Sequence, residues 1–105
     1  MKRIILVIGG ALLWPAASGA TEQMITMKNE TYHPGNLAAK VGDTLRFVND
    51  DSEAHNVFVP TVGYAFDLGK QEPDESRTIT LGKPGRFDVE CVIHGHMLMT
   101  VDVTP

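Results

Sequence analysis

The stretch FDVECVIHGHMLMTVDV, residues 87–103, reads as two strands joined by a short loop that is rich in metal-binding side chains. Before the loop, apolar residues alternate with Asp88 and Glu90, which is the period of a strand with one buried face. This alternation points Cys91 inward at the end of the first strand. After the loop, apolar residues again recur at every second position, Val101 among them. The loop is therefore expected at one end of a β-structure.

The rest of the chain predicts further short strands that are separated by turn residues. The predicted strands cover residues 23–28, 37–41, 44–49, 55–59, 77–81, 87–92 and 98–103. Residues 61–74 have a mixed pattern and are predicted to form a loop. Runs of ten or more residues with helical periodicity are missing from this pattern. The sequence therefore predicts an all-β fold, an antiparallel β-sandwich.

Residues 1–20 have the pattern of a secretory signal peptide. A positively charged start precedes an apolar run over residues 4–13, and the small residues Ser18 and Ala20 occupy the positions that a cleavage site needs. The apolar run is too short to span a bilayer unaided. We therefore expect export to the periplasm, no membrane insertion after cleavage, and one mature domain over residues 21–105.

Charge limits the classes of partner. The whole chain has 9 basic and 13 acidic residues, and removal of Lys2 and Arg3 with the signal peptide leaves a net charge of −6 with neutral histidines. This acidic balance argues against a nucleic acid or an anionic membrane surface as the partner. It permits a basic protein partner.

The cysteine count raises the question of a metal site. The chain has a single cysteine, Cys91, which cannot form a disulfide within the chain. Small exported domains usually carry an even number of cysteines that are joined in pairs. A lone cysteine in such a domain is either a metal thiolate or a buried, inert core residue. The count alone does not separate these two interpretations.

The residues around Cys91 favour the metal site. The loop adds His94 and one methionine, Met97 or Met99, and His55 begins a predicted strand that a sandwich can bring to the same end. One thiolate, two imidazoles and a weakly bound thioether are the donor set of a blue-copper electron-transfer site. Zinc prefers tetrahedral sites of cysteine and histidine without methionine. The donor set therefore favours copper.

At these residues the chain resembles the cupredoxins, and within them the branch of amicyanin, pseudoazurin and plastocyanin. The matching segments are HN at 55–56, C-x-x-H-x-x-M at 91–97, KVGDTLRFVNDD at 40–51 and PDESRTITLGKPGRFDVEC at 73–91. The resemblance implies a Greek-key β-sandwich that holds one copper ion. The implied equatorial ligands are His55, Cys91 and His94, and the implied axial ligand is Met97. Asn56 would hydrogen-bond to the ligand loop and hold it against the His55 strand.

The resemblance also implies a function. It implies a monomeric, non-enzymatic carrier of single electrons between redox proteins, with a partner such as a c-type cytochrome or an oxidoreductase. The electron would pass through His94, beside an apolar docking patch formed by Ile93, Met97, Leu98 and Pro60. Two alternatives use the same fold: a periplasmic copper-handling protein, either a chaperone or a resistance factor, and a structural module that holds zinc or no metal.

Three residues of the loop have more than one interpretation. Met99 competes with Met97 as axial ligand, since it has the His-x-x-x-x-Met spacing of plastocyanin, whereas Met97 has the His-x-x-Met spacing of amicyanin and pseudoazurin. His96 is either an exposed turn residue or a group that docks a partner or weakly binds a second copper ion. Ile93 stands where similar families have proline, so its N–H is predicted to donate to the Cys91 sulfur and raise the reduction potential.

Overall fold

A computed structural model describes residues 19–105, and this part of the chain forms nine β-strands in two sheets. The strands are β1 Glu22–Lys28, β2 Thr31–His33, β3 Asn36–Lys40, β4 Thr44–Asn49, β5 His55–Val59, β6 Phe66–Gln71, β7 Ser76–Thr80, β8 Gly85–Glu90 and β9 Leu98–Thr104. The predicted signal peptide lies outside the described residues, apart from its last two. Within residues 19–105 there is no helix long and apolar enough to cross a membrane.

The two sheets are mixed. One has the strand order β2-β1-β4-β7 and the other has the order β3-β9-β8-β5-β6. The pairs β1–β4 and β3–β9 are parallel, whereas the other pairs are antiparallel. The parallel β1–β4 pair arises because the chain leaves the first sheet after β2, forms β3 in the second sheet, and returns as β4 beside β1. The predicted all-β sandwich is confirmed, but its sheets are not wholly antiparallel.

The predicted strands agree with the structure to within two residues at each end, but β2 and β6 were not predicted. Strand β6 lies in the region 61–74 that was expected to be a loop. Gly69 has a φ of +79°, and its N–H donates to Asp67 Oδ1 at 2.8 Å. The β5–β6 register also shifts between Val57 and Phe58. This bulge breaks the two-residue alternation, which explains why the strand pattern was not apparent in the sequence.

The core lies between the two sheets. Its fully buried side chains include Ile25, Met27, Leu45, Phe47, Val57, Val59, Phe87, Val89 and Val101. Cys91, Met97 and Met99 belong to the same buried cluster. Because these three residues lie in or beside the loop after β8, the candidate site is at the edge of the core rather than on a detached loop.

A buried polar network connects the two sheets just before β5. The amide of Asn49 is fully buried, and its Nδ2 donates to Gln71 O and to Glu53 O, both at 2.9 Å. Asn49 Oδ1 accepts the Asp51 N–H at 3.0 Å. Gln71 Nε2 in turn donates to Phe47 O at 3.1 Å. The segment that leads into β5 is therefore held by the side chain of Asn49, while the side chain of Gln71 joins the second sheet to the first.

The turn between β3 and β4 is closed by the carboxylate of Asp43. One of its oxygens accepts the Thr21 N–H and the other accepts the Lys40 N–H, both at 3.0 Å. These hydrogen bonds, with that of Thr21 the largest cause, hold the pKa of Asp43 below its usual value. The turn is thereby joined to the segment that starts β1.

We expect Asp43→Ala to destabilise the protein in a pH-dependent manner. Because the pKa of this carboxyl is lower in the folded than in the unfolded state, the stability it adds is complete above the unfolded value of 3.8. That stability is lost as the pH falls through the folded value. Urea unfolding of both proteins should therefore show a difference in unfolding free energy at neutral pH that shrinks in acid. Glu22→Gln, at an exposed carboxylate, is the control, and a difference that is independent of pH would contradict the prediction.

Candidate metal centre

Three side chains from separate parts of the chain converge at one end of the sandwich. His55 begins β5, Cys91 directly follows β8, and His94 lies in the loop between β8 and β9. One donor atom from each lies within 4.8 Å of the others. The two Nδ1 atoms are 3.1 Å apart, and Cys91 Sγ is 4.0 Å from His94 Nδ1. The alternation of β8 buries Cys91, and His55 is also fully buried, whereas the side chain of His94 is 18% exposed.

Carboxylates on the far side of both rings fix which nitrogens face the centre. His55 Nε2 is 2.9 Å from Asp51 Oδ2, and His94 Nε2 is 3.0 Å from Glu53 Oε1. Since an ionised carboxylate only accepts, each Nε2 carries the hydrogen and donates it, and the Nδ1 of a neutral ring then presents a lone pair. Two lone pairs thus face each other beside a thiol, an arrangement that a cation between them stabilises.

The carboxylate behind His55 remains charged over a wide pH range. The pKa of Asp51 is lowered to about 2, first by the hydrogen bond from His55 and then by those from the N–H groups of Glu30 and Ser52. These two N–H groups lie 3.0 and 2.9 Å from the Asp51 carboxylate oxygens. A fixed negative charge therefore accompanies the most deeply buried imidazole of the centre.

Asn56 joins the ligand loop to β5 and to the opposite sheet. Its N–H donates to Cys91 Sγ at 3.4 Å, and its Oδ1 accepts the Val92 N–H at 2.7 Å. Its carbonyl oxygen accepts the hydroxyl of Tyr32, on β2, at 2.6 Å. Burial is the main cause that raises the pKa of Tyr32, so this hydroxyl stays neutral and remains a donor.

The hydrogen bond predicted from Ile93 to the sulfur is not formed. Within residues 19–105 the backbone N–H that donates to Cys91 Sγ is that of Asn56, and no hydrogen bond joins the Ile93 N–H to this sulfur. Ile93 is instead on the surface, where 47% of the residue is exposed. The prediction of a raised reduction potential from Ile93 therefore loses its structural basis.

Both candidate axial methionines are buried, but they occupy different positions. Met97 ends the loop. Its N–H donates to His94 O at 2.9 Å, and its carbonyl oxygen accepts the Cys91 N–H at 3.4 Å. Met99 lies within β9, opposite Val89. Met97 is therefore tied through the backbone to both candidate ligands of the loop, whereas Met99 is one strand step further into the core.

His96 lies on the surface beside the centre. Its Nε2 is 3.1 Å from Glu30 Oε1, and the side chain is 63% exposed. The other oxygen of Glu30 is 4.0 Å from His94 Nε2. This exposed position agrees with the interpretation of His96 as a turn residue, now with an acidic partner.

The predicted apolar patch is only partly formed. Ile93 and Leu98 are exposed, and Val92 adds to them. Met97, which was expected in the patch, is buried. Pro60 is exposed but follows the far end of β5, so the strand separates it from His55 by about 17 Å at a rise of about 3.3 Å per residue.

Comparison with known proteins agrees with the fold and with the donor set. The family described as cupredoxin-like domain matches residues 3–103. The chain belongs to the cupredoxin-like family. This cupredoxin is 33% identical over 90 residues to the methylamine utilization protein MauL of Methylorubrum extorquens, a match that covers 85% of this chain and 77% of that protein.

Two further similarities extend over most of this cupredoxin. It is 31% identical over 105 residues to plastocyanin of Prochlorothrix hollandica, which covers 90% of this chain and 80% of that protein. It also superposes on a reduced amicyanin variant with a TM-score of 0.73 at 25% identity, covering 84% of this chain and 85% of that one. The predicted family is therefore confirmed.

The donor set of this cupredoxin is suited to a single copper ion. Two nitrogens 3.1 Å apart match the span of two bonds of about 2.0 Å from nitrogen to a common metal ion. The third donor is one soft sulfur, and a set of two imidazoles with one thiolate is the copper combination rather than the usual zinc one.

Sequence reasoning missed the residues that support the candidate ligands. It gave no role to Asn49 or Asp51, whereas Asn49 is buried and Asp51 holds His55. Glu53 and Tyr32 were not singled out at all. The signal that was available is the pair of carboxylates four and two residues before His55, since a metal-bound histidine commonly donates its second N–H to such a group.

We expect Asn56→Ala to lower the unfolding free energy of the metal-free protein by about 1 kcal/mol, because Val92 loses its acceptor and the ligand loop loses one link to β5. Urea unfolding measures this difference. Asn36→Ala, at an exposed amide on β3, is the matched control and should stay within about 0.5 kcal/mol of wild type. Equal effects of the two substitutions would contradict the role given to Asn56.

Proposed function

We propose that this cupredoxin carries single electrons on one copper ion held by His55, Cys91 and His94, with the Met97 thioether as axial ligand. The observation that carries the proposal is the pair of Nδ1 atoms 3.1 Å apart beside a buried thiol. Both rings have their rear nitrogen occupied by a carboxylate, so both front nitrogens are free to donate to a metal.

A bound copper ion would supply one-electron redox chemistry, and the chain supplies the rest of what a carrier needs. Cys91 and His55 hold the ion from the core, where packed strands limit their movement. A site that moves little on reduction keeps the reorganisation energy small. His94 alone among the three reaches the surface, so its ring is the proposed path for the electron.

The proposed partner is a basic redox protein, such as a c-type cytochrome or an oxidoreductase. Glu30 and Glu53 lie beside His94 and would attract positive charge. The exposed side chains of Val92, Ile93 and Leu98 would add apolar contact around the same loop. We further propose that the protein is a monomer of residues 21–105 that acts in the periplasm after removal of the predicted signal peptide.

The test is to add Cu(II) to the purified, metal-free exported protein. We expect uptake of one copper per chain and an intense visible thiolate-to-copper band that ascorbate removes and reoxidation restores. Zinc, which has no redox chemistry, is the control and should give no such band. A colourless complex, or rapid loss of copper to a mild chelator, would contradict an electron carrier and favour the copper-handling alternative.

A further inference from the structure

The outer edge of His94 is covered by one carboxylate of its own chain. His94 Nε2 lies 3.0 Å from Glu53 Oε1, and the two side chains are 18% and 49% exposed. The corresponding carboxylate behind His55, that of Asp51, is only 12% exposed. The two imidazoles therefore have the same kind of partner, but only the partner of His94 stands in solvent.

The contacts of Glu53 are divided between its backbone and its side chain. The backbone carbonyl accepts a hydrogen bond from the buried Asn49 at 2.9 Å, which fixes the main chain at this point. In the part of the chain that the structure describes, the side-chain carboxylate has no hydrogen-bond donor other than His94. The fold therefore needs the backbone of Glu53, while its carboxylate serves the histidine.

We infer that Glu53 is a positioning residue that holds His94 through the Nε2–H and keeps the reduction potential of the copper low; this rests on the proposed copper function. A carboxylate that accepts the rear N–H makes the front nitrogen a stronger donor, and it keeps the ring turned towards the metal. A stronger donor and a nearby negative charge both stabilise Cu(II) more than Cu(I).

Glu30 provides a control that separates the hydrogen bond from charge alone. Its nearer oxygen is 4.0 Å from His94 Nε2, beyond hydrogen-bond distance, and its other oxygen pairs with His96. Glu30→Gln therefore removes a negative charge from almost the same place without removing the acceptor of His94. Glu53→Ala removes both, and Glu53→Gln retains a neutral acceptor.

The experiment measures the midpoint potential of the copper-loaded protein and of the three variants. Loss of an outer-shell partner of a ligand typically weakens metal binding by about 10- to 100-fold. If Glu53→Ala weakens Cu(II) binding about tenfold relative to Cu(I), the potential rises by about 59 mV for a one-electron couple. We expect a smaller rise for Glu53→Gln and the smallest for Glu30→Gln. If the potential rises as much for Glu30→Gln as for Glu53→Ala, Glu53 acts only through its negative charge, and the inference is overturned.

A second readout observes the hydrogen bond itself. In the diamagnetic Cu(I) protein, proton NMR should show a slowly exchanging Nε2–H of His94 in wild type and in Glu30→Gln, and that signal should be lost in Glu53→Ala. Retention of the signal in Glu53→Ala would also overturn the inference.

A wrong role for Glu53 and a wrong copper function would give different results. If His94 is not a ligand, His94→Ala will leave the visible band unchanged, which contradicts the proposed function. If the band depends on His94 but the potential and the Nε2–H signal do not respond to Glu53→Ala, the copper site stands and the role of Glu53 is wrong. Because Asn49 fixes the backbone of Glu53, we expect these side-chain variants to fold.

Discussion

Cys91→Ser will abolish the visible band of the copper-loaded protein and will weaken its binding of Cu(I). Loss of an outer-shell partner weakens metal binding by up to about 100-fold, and loss of the thiolate itself should weaken it more. The thiolate is the soft donor among the three convergent groups, and a serine hydroxyl neither matches Cu(I) nor supports a thiolate-to-copper transition. Absorption spectroscopy measures the band, and titration against a competing chelator measures the affinity.

The change is small enough for the fold to survive. Cys91 is buried beside the Asn56 N–H, which can donate to the serine oxygen as it does to the sulfur. Met99→Leu is the matched control. It replaces a buried methionine of β9 by a leucine of similar size, and the band should be kept. A band of undiminished intensity in Cys91→Ser would refute the assignment of Cys91 as the thiolate ligand.

Asn49→Ala will lower the unfolding free energy by about 3 kcal/mol, because it leaves the carbonyl groups of Gln71 and Glu53 without their donor. It also removes the acceptor of the Asp51 N–H. Since Asp51 and Glu53 hold the two imidazoles, we expect weaker copper binding as well as a lower unfolding free energy. Urea unfolding of the metal-free protein and chelator titration of the copper form measure the two effects.

Asn49→Asp separates the parts of this network. Aspartate keeps an acceptor for the Asp51 N–H but has no amide hydrogens for the two carbonyls, so it should destabilise the protein at least as much as alanine. Asn36→Ala, on the exposed face of β3, should change neither quantity. If Asn49→Ala unfolds at the urea concentration of wild type, the network is not what holds the segment before β5.

The parts of the fold and site that follow a local rule could be predicted. Two-residue alternation locates most strands and turns Cys91 inward, and the spacing of soft donors in one loop indicates the metal centre. Parallel pairing of β1 with β4 could not be predicted from alternation, because it depends on which sheet each strand joins. Strand β6 was missed because a bulge breaks its period.

The residues that support the candidate ligands were missed for a different reason. Asp51, Glu53 and Asn49 are polar residues in a run that precedes a strand, and such runs are usually solvated turns. Their role depends on distances to His55 and His94, and His94 is 41 residues from Glu53 in sequence. Ile93 was misjudged as well, because whether its N–H reaches the sulfur depends on the path of the loop in space, which spacing does not show; the donor to Cys91 Sγ is Asn56.

The hydrogen bond from Thr21 to Asp43 would link removal of the predicted signal peptide to the stability of the fold. A cut after Ala20, the predicted end of the signal peptide, would turn the Thr21 amide into an α-ammonium group 3.0 Å from a carboxylate oxygen. The amide already donates to an ionised acceptor, and the ammonium group would place a full positive charge opposite that carboxylate. The uncut precursor would thus lack an ion pair that the mature protein has, and the same cleavage that frees the chain from its leader would tighten the turn before β4.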